Sequence, residues 1–324
     1  MFVSVVMIFS FADAQNVAWP PEAVINLTSQ WEGERLPDGR PKVSDELLER
    51  LKKFSLEEVW SFLRRQGYNN QVEQLSELHQ KGWMILHPEE PMTGRVLTAQ
   101  FVPRRPDFND YVQAQAKKEG THTPVTNYAP IIKLLEGDIY VADGYGKMQG
   151  GTLIGDNLAD AIYGATKRGF IFFGSIRDQQ GMSSIKGFNG WFMGENVSGI
   201  SEMIVAWMNA PIRIGKVTAL PGDVALCNKY GIVFIPPHLV EECVLSAEYT
   251  QLRDEFNYWA RATKKFVYIN ERFDVEREVL EQAFRDWVFA KSDKELPMPR
   301  KQLEDYMKRR EEERAARMKN APQR

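Results

Sequence analysis

The stretch IYVADGYGKMQGGTLIGDNLADAIYGATKRGFIFFGSIRD, residues 139–178, decides the fold. Ile139-Tyr140-Val141-Ala142 reads as a strand, and a Gly-rich loop over residues 143–151 follows it. A helix is predicted from about residue 157 to 168, because Leu158, Ile162 and Ala165 fall on one face. Asp156 is placed to cap its start and Gly169 to close its end. Phe170-Ile171-Phe172-Phe173 is a continuous apolar run, as in a strand buried on both faces. The whole is a strand–helix–strand unit. Open α/β sheets bind ligands beyond the carboxyl ends of their strands, and two chemically pointed loops lie there.

The first loop is Gly155-Asp156-Asn157-Leu158. Amides at a helix start have no partner within the helix, and with the helix dipole they attract a carboxylate. Taken alone, this tetrapeptide reads first as a simple cap that needs no ligand. The second loop is Arg177-Asp178. Arginine offers a planar fork to a carboxylate, and aspartate offers a hard oxygen to Mg2+ or Mn2+. By itself such a pair is also an ordinary surface ion pair. The Gly-rich loop fails as a dinucleotide fingerprint: after Gly144-x-Gly146, Gln149 stands where the third glycine belongs.

Around this unit, strands are expected over residues 96–102, 224–227 and 231–235, with a polar helix over residues 107–118 between the first of these and the central unit. Further upstream, Ser44 can cap one helix, and Ser55-Leu56-Glu57-Glu58 is a capping box for another that ends at Gly67. Leu56, Val59, Trp60 and Leu63 repeat at core spacing. Residues 15–43, with Pro20-Pro21 and Pro37-Asp38-Gly39, read as an extended arm. Beyond residue 244 the pattern turns helical. Val275, Val279, Ala283 and Trp287 recur every four residues behind Asp274 as a cap, and residues 301–324 are mostly charged.

Composition excludes several classes. Apolar residues make up 43% of 324, enough for a core without staples. A net charge of −3 argues against a general nucleic-acid binder. Two cysteines, Cys227 and Cys243, exclude a disulfide framework and a thiolate zinc cluster. His79, His87, His122 and His238 are scattered, with no His-x-x-x-His spacing. Residues 2–11 are almost wholly apolar and Ala12-Asp13-Ala14 follows, which resembles a secretory signal (residues 1–14) cleaved before Gln15, although no positive charge precedes the run. The run is too short to span a membrane and no other stretch reaches about 18 apolar residues, so a soluble exported protein is expected, or a cytoplasmic one if residues 1–14 are a misassigned start or a buried strand.

The combination of Gly155-Asp156-Asn157-Leu158 with Arg177-Asp178, 20 residues lying between Asp156 and Arg177, resembles the RraA-like family. That family includes 4-hydroxy-4-methyl-2-oxoglutarate / 4-carboxy-4-hydroxy-2-oxoadipate aldolases and the regulator of ribonuclease activity A. Leu135-Glu136-Gly137-Asp138, Pro221-Gly222-Asp223 and Gly231-Ile232-Val233-Phe234-Ile235-Pro236 agree with it, and the likeness covers residues 44–243. The resemblance implies an α/β fold of the swivelling β/β/α type, here with helical N- and C-terminal extensions, assembled as a homotrimer or hexamer. It implies a lyase that cleaves a 4-hydroxy-2-oxo acid to pyruvate through an enolate stabilised by a divalent cation, Mg2+ or Mn2+, with oxaloacetate decarboxylation possible at the same site. Gly155, Asp156, Asn157, Leu158 and Arg177 would hold the 2-oxo acid. Asp178 would be the metal ligand, and Asp156 would orient a metal-bound water that relays the proton. A related lyase or hydratase acting on a sugar-derived acid, or a non-catalytic regulatory binding protein, are the alternatives. Gly181 stands where the aldolases carry an acidic residue, Asn228 where they carry Asp, and the C-terminal extension has no counterpart in the pattern.

Overall fold

A computed structural model of the chain describes residues 16–74, 82–121 and 124–319. The proposed signal, residues 1–14, and His79 and His122 lie outside them. The chain divides into two compact units, one ending at Val240 and one starting at Glu241.

The first unit opens with α1 (Pro21–Leu27), α2 (Asp45–Leu51) and α3 (Leu56–Arg65). Next come β1 (Val72–Gln74), β2 (Met84–Ile85), the twelve-residue β3 (Met92–Pro103) and α4 (Pro106–Lys118). The centre is β4 (Asp138–Asp143), α5 (Asp156–Thr166), β5 (Phe170–Ile176), α6 (Gln179–Ser183), β6 (Gly190–Glu195) and β7 (Met203–Met208). The small hairpin of β8 (Ile212–Ile214) and β9 (Val217–Ala219) leads to β10 (Val224–Asn228) and β11 (Gly231–Ile235). Among the described residues nine strands make one mixed sheet in the order β1-β11-β10-β3-β4-β5-β6-β2, with β7 on the far half of β3. Strands β3 to β6 run parallel, so their carboxyl ends share one edge. Phe170, Ile171 and Phe172 are fully buried, as the unbroken apolar run required. This is the mixed α/β fold with a large sheet that the sequence predicts.

Two Gly-Asp turns start neighbouring parts of the sheet. Gly137 (φ 83°) and Gly222 (φ 86°) take the left-handed conformation open to glycine. The following aspartates each accept a hydrogen bond from the amide three residues back: Asp138 from Leu135 (2.8 Å) and Asp223 from Leu220 (2.9 Å).

Several expectations are corrected. Residues 16–43 are not an extended arm. They carry α1, and the fully buried Arg40 pairs with Asp138 at 2.8 Å and with Asp38 at 2.7 Å. A buried arginine must be paired, and that need ties the segment down. Helix α5 starts one residue early, with Gly155 as its N-cap and Asp156 as the first helical residue. It ends at Lys167, which takes the left-handed conformation itself (φ 55°) and donates its amide to Tyr163 O at 2.9 Å. Gly169 serves a different need: a Cβ there would collide with the Asn189 carbonyl. The Ser55–Glu58 capping box forms as read, and Gly67 turns the chain at φ 88°. Trp60 is only partly buried, and the core face of α3 is Leu56, Val59, Phe62 and Leu63.

The second unit holds α7 (Val240–Ala262), the hairpin of β12 (Tyr268–Ile269) and β13 (Arg272–Phe273), α8 (Arg277–Phe289) and α9 (Arg300–Lys319). The expected stripe of α8 holds in part: Ala283 and Trp287 pack on this unit's core, whose buried centre lies one position later. Phe284 and Val288 are buried with Leu280 packed on them, whereas Val279 is 49% exposed. The N-cap is Glu276 rather than Asp274. Helix α9 is not wholly solvated, since Leu303, Tyr306 and Met307 are buried in this unit's own core.

Candidate active site

The two loops meet at the carboxyl edge of the parallel strands. The means is an extra extended segment. Residues 151–154 run beside the end of β5: Thr152 bridges Ser175, Leu153 N donates to Ser175 O (2.9 Å), and Arg177 N donates to Ile154 O (3.0 Å). Asn127 Nδ2 holds the Leu153 carbonyl at 2.6 Å. The backbone is thus fixed up to the residue before Gly155. On the other side β6 pairs with β5 to the last residue, Ile176 opposite Glu195, and Asn196 N donates to Ile176 O at 2.9 Å.

Gly155 then lies against Arg177 and Asp178. A Cβ at Gly155 would stand 2.7 Å from Asp178 Oδ2 and 2.9 Å from Arg177 Nε. Only a glycine lets these side chains approach the helix start so closely. Arg177 Nε and Asp178 Oδ2 are 3.3 Å apart and both side chains are about half exposed. Such a pair adds at most about 1 kcal/mol to stability, so a ligand can displace it at small cost. The guanidinium also reaches toward Gly199 in the turn after β6.

Asp156 departs from the simple reading. Its Oδ1 accepts from its own neighbour's amide, Asn157 N, at 2.8 Å. One amide of the helix start is therefore already occupied, and those of Asp156 and Leu158 remain for an anion. The other carboxylate oxygen faces α6: a Cβ on Gly181 would lie 3.0 Å from Asp156 Oδ2. An acidic side chain at position 181 would have to push Asp156 aside. Gly181 and Asp156 are therefore one coupled feature. Asn228 lies elsewhere. Its Oδ1 accepts from Tyr230 N at 2.8 Å in the β10–β11 turn, and β10 runs antiparallel to β3, which puts that turn at the opposite end of the sheet.

Asp178 takes a left-handed conformation (φ 59°) that few non-glycine residues adopt. Its amide neighbour Gln179 N donates to Glu195 Oε1 at 3.1 Å. Glu195 went unread in the sequence. The available signal was a carboxylate at the end of an apolar strand that finishes at the same edge. Further in, Asp143 closes β4, and burial pushes its carboxyl above the usual range, opposed by the Tyr145 amide and Gln100.

Among the described residues no three His, Cys, Asp or Glu side chains form a metal cluster. The donors present fit a cation that keeps most of its water, as Mg2+ does with one or two carboxylates. Asp178 offers a half-exposed carboxylate with open solvent beside it.

A mixed-sheet α/β fold thus brings a helix start and an Arg-Asp pair together at one strand edge. The chain belongs to the RraA-like family, described as Aldolase/RraA, which matches residues 41–234. Among solved structures it resembles RraAS2 of Streptomyces coelicolor, titled an unusual member of the RNase ES inhibitor RraA protein family. That likeness has 24% identity and a TM-score of 0.55, and covers 67% of this chain and 99% of that one. A structure titled as novel cellulases from microbes associated with the gut ecosystem aligns at 18% identity and TM-score 0.55, over 73% and 96% of the two chains. An uncharacterized protein from Pseudomonas syringae pv. tomato str. DC3000 aligns at 18% and 0.53, over 78% and 100%. These similarities speak to the fold. No curated protein matches the chain.

Proposed function

We propose that the chain is a divalent-metal-dependent lyase that cleaves a 4-hydroxy-2-oxo acid to pyruvate. One observation carries the reading: Gly155, Arg177 and Asp178, from two loops with 20 residues between Asp156 and Arg177, lie within contact distance. The Asp156 and Leu158 amides and the Arg177 guanidinium would hold the carboxylate of the 2-oxo acid. Asp178 would hold the Mg2+ or Mn2+. A bound divalent cation supplies Lewis acidity at the 2-oxo group, where negative charge collects as the carbon–carbon bond breaks. Asp156 Oδ1 is held by the Asn157 amide, which leaves Oδ2 to accept a proton from a water serving the departing group. Oxaloacetate would lose CO2 by the same charge development.

Purified chain should release pyruvate from 4-hydroxy-2-oxo acids, or consume oxaloacetate, with Mg2+ or Mn2+ and not with EDTA. Metal-replete protein inert toward both substrate sets would sink the reading. Gly181 favours a second reading, a lyase or hydratase on a sugar-derived acid. The space beside Asp156 differs from the aldolases there, so the screen should include sugar acids.

Assembly as a homotrimer or hexamer belongs to the same proposal. Sedimentation velocity would reveal a monomer if this is wrong. Export is also proposed; N-terminal sequencing of secreted protein should begin at Gln15. No described helix is long and apolar enough to cross a membrane.

A further inference from the structure

We infer that Glu195 is a positioning residue that fixes Asp178 for the cation. The inference rests on the lyase reading above and concerns a residue that reading does not use. Asp178 sits in a left-handed conformation at the junction of β5 and α6. A non-glycine residue keeps such a conformation only when its neighbours hold it. The peptide before Arg177 is held by Ile154 O, through Arg177 N at 3.0 Å. The peptide after Asp178 is held from the other side by Glu195 Oε1, through Gln179 N at 3.1 Å. The α6 helix adds Met182 N on Asp178 O at 3.1 Å.

The sheet register puts Glu195 there. It is the last residue of β6, opposite Ile176, the residue before Arg177. From this place its side chain reaches over the strand end to the first amide of α6. Charge-assisted bonds from a backbone amide to a carboxylate are among the stronger ones. Glu195 is exposed, so the bond is not a by-product of core packing. The Asp178 side chain has no backbone donor fixing it among the described contacts, and Arg177 is its ion-pair partner. Its direction toward Gly155 therefore depends on its backbone, and Glu195 supplies the one side-chain bond among the three that hold that backbone.

Two measurements test this on the full chain. Amide hydrogen exchange at Gln179 reports the bond without any metal. Mn2+ titration by electron paramagnetic resonance reports the site without turnover. Glu195→Ala should speed Gln179 exchange at least tenfold and weaken Mn2+ binding about tenfold. Glu195→Gln keeps an acceptor oxygen and should stay within about threefold of wild type in both. Wild-type behaviour of Glu195→Ala in either assay overturns the inference, with the lyase reading intact if Asp178→Asn still abolishes Mn2+ binding. Equal loss in Glu195→Gln and Glu195→Ala overturns it too, because charge and not position would then be what matters. If wild type binds no Mn2+, the metal reading falls and takes the link to the cation with it, while Gln179 exchange still decides whether Glu195 holds the turn.

Discussion

Asp138 and Asp223 occupy the same kind of turn and differ in what surrounds them. Asp138 has Arg40 at 2.8 Å and Arg95 at 3.9 Å. Asp223 is fully buried with the Leu220 amide as its hydrogen-bond donor, and burial pushes its carboxyl up to about 7 from an ordinary 3.8. Between those values the unfolded chain binds fewer protons than the folded one. Stability from this group is therefore full below about pH 4, falls as pH rises, and is lost above about 7. Asp223→Asn keeps the acceptor and removes the titration. Urea unfolding at pH 5 and pH 8 should show the variant gaining about 3 kcal/mol relative to wild type at the higher pH. Parallel pH profiles for the two proteins would count against it. Asp178→Ala belongs to the same scale. It should abolish metal-dependent turnover while leaving the melting temperature within a few degrees, because an exposed ion pair adds little. Retained turnover would move the metal site elsewhere.

At the scale of elements, α5 shows how a helix start becomes a site. Its N-cap is a glycine because Asp178 and Arg177 occupy the space a side chain would need. Gly155→Ala leaves an allowed backbone at φ −117° and should fold normally. Pyruvate release should fall at least tenfold, equivalent to about 1.4 kcal/mol of lost transition-state stabilisation. Unchanged rates would mean the two loops do not act together. At the other end Lys167 carries a left-handed strain that glycine avoids. Lys167→Gly should stabilise the protein by about 1 kcal/mol in thermal unfolding. The strands, the capping box and the strand–helix–strand unit were legible from periodicity and turn residues. Both ends of α5 were misread, because Gly155 and Gly169 serve close approaches made by residues distant in sequence. The partly misplaced stripe of α8 has a related cause: Val279 and Phe284 are equally apolar, and packing alone chose between their faces.

For the whole molecule, each of the two units has its own core. Phe284 in the second is fully buried against Tyr249, Phe256 and Trp287. Phe284→Ala should cost that unit about 3–5 kcal/mol. Hydrogen exchange should then rise across residues 241–319 and stay slow in β4 and β5, where Phe170 and Phe172 build a separate core. Uniform loss of protection would show that the units unfold as one.

The sequence by itself determined the family, the central unit and the residues of both loops, because apolar runs, glycine spacing and the Arg-Asp pair are local features. It could not place Glu195 beside Gln179, set Gly181 against Asp156, or separate Asn228 from the site. Those relations follow from strand order and register, which bring together residues far apart in the chain. The burial of Asp223 with no cation beside it among the described residues, and of Arg40 between two carboxylates, was likewise decided only by the tertiary structure, since solvent exclusion is a property of the packed molecule.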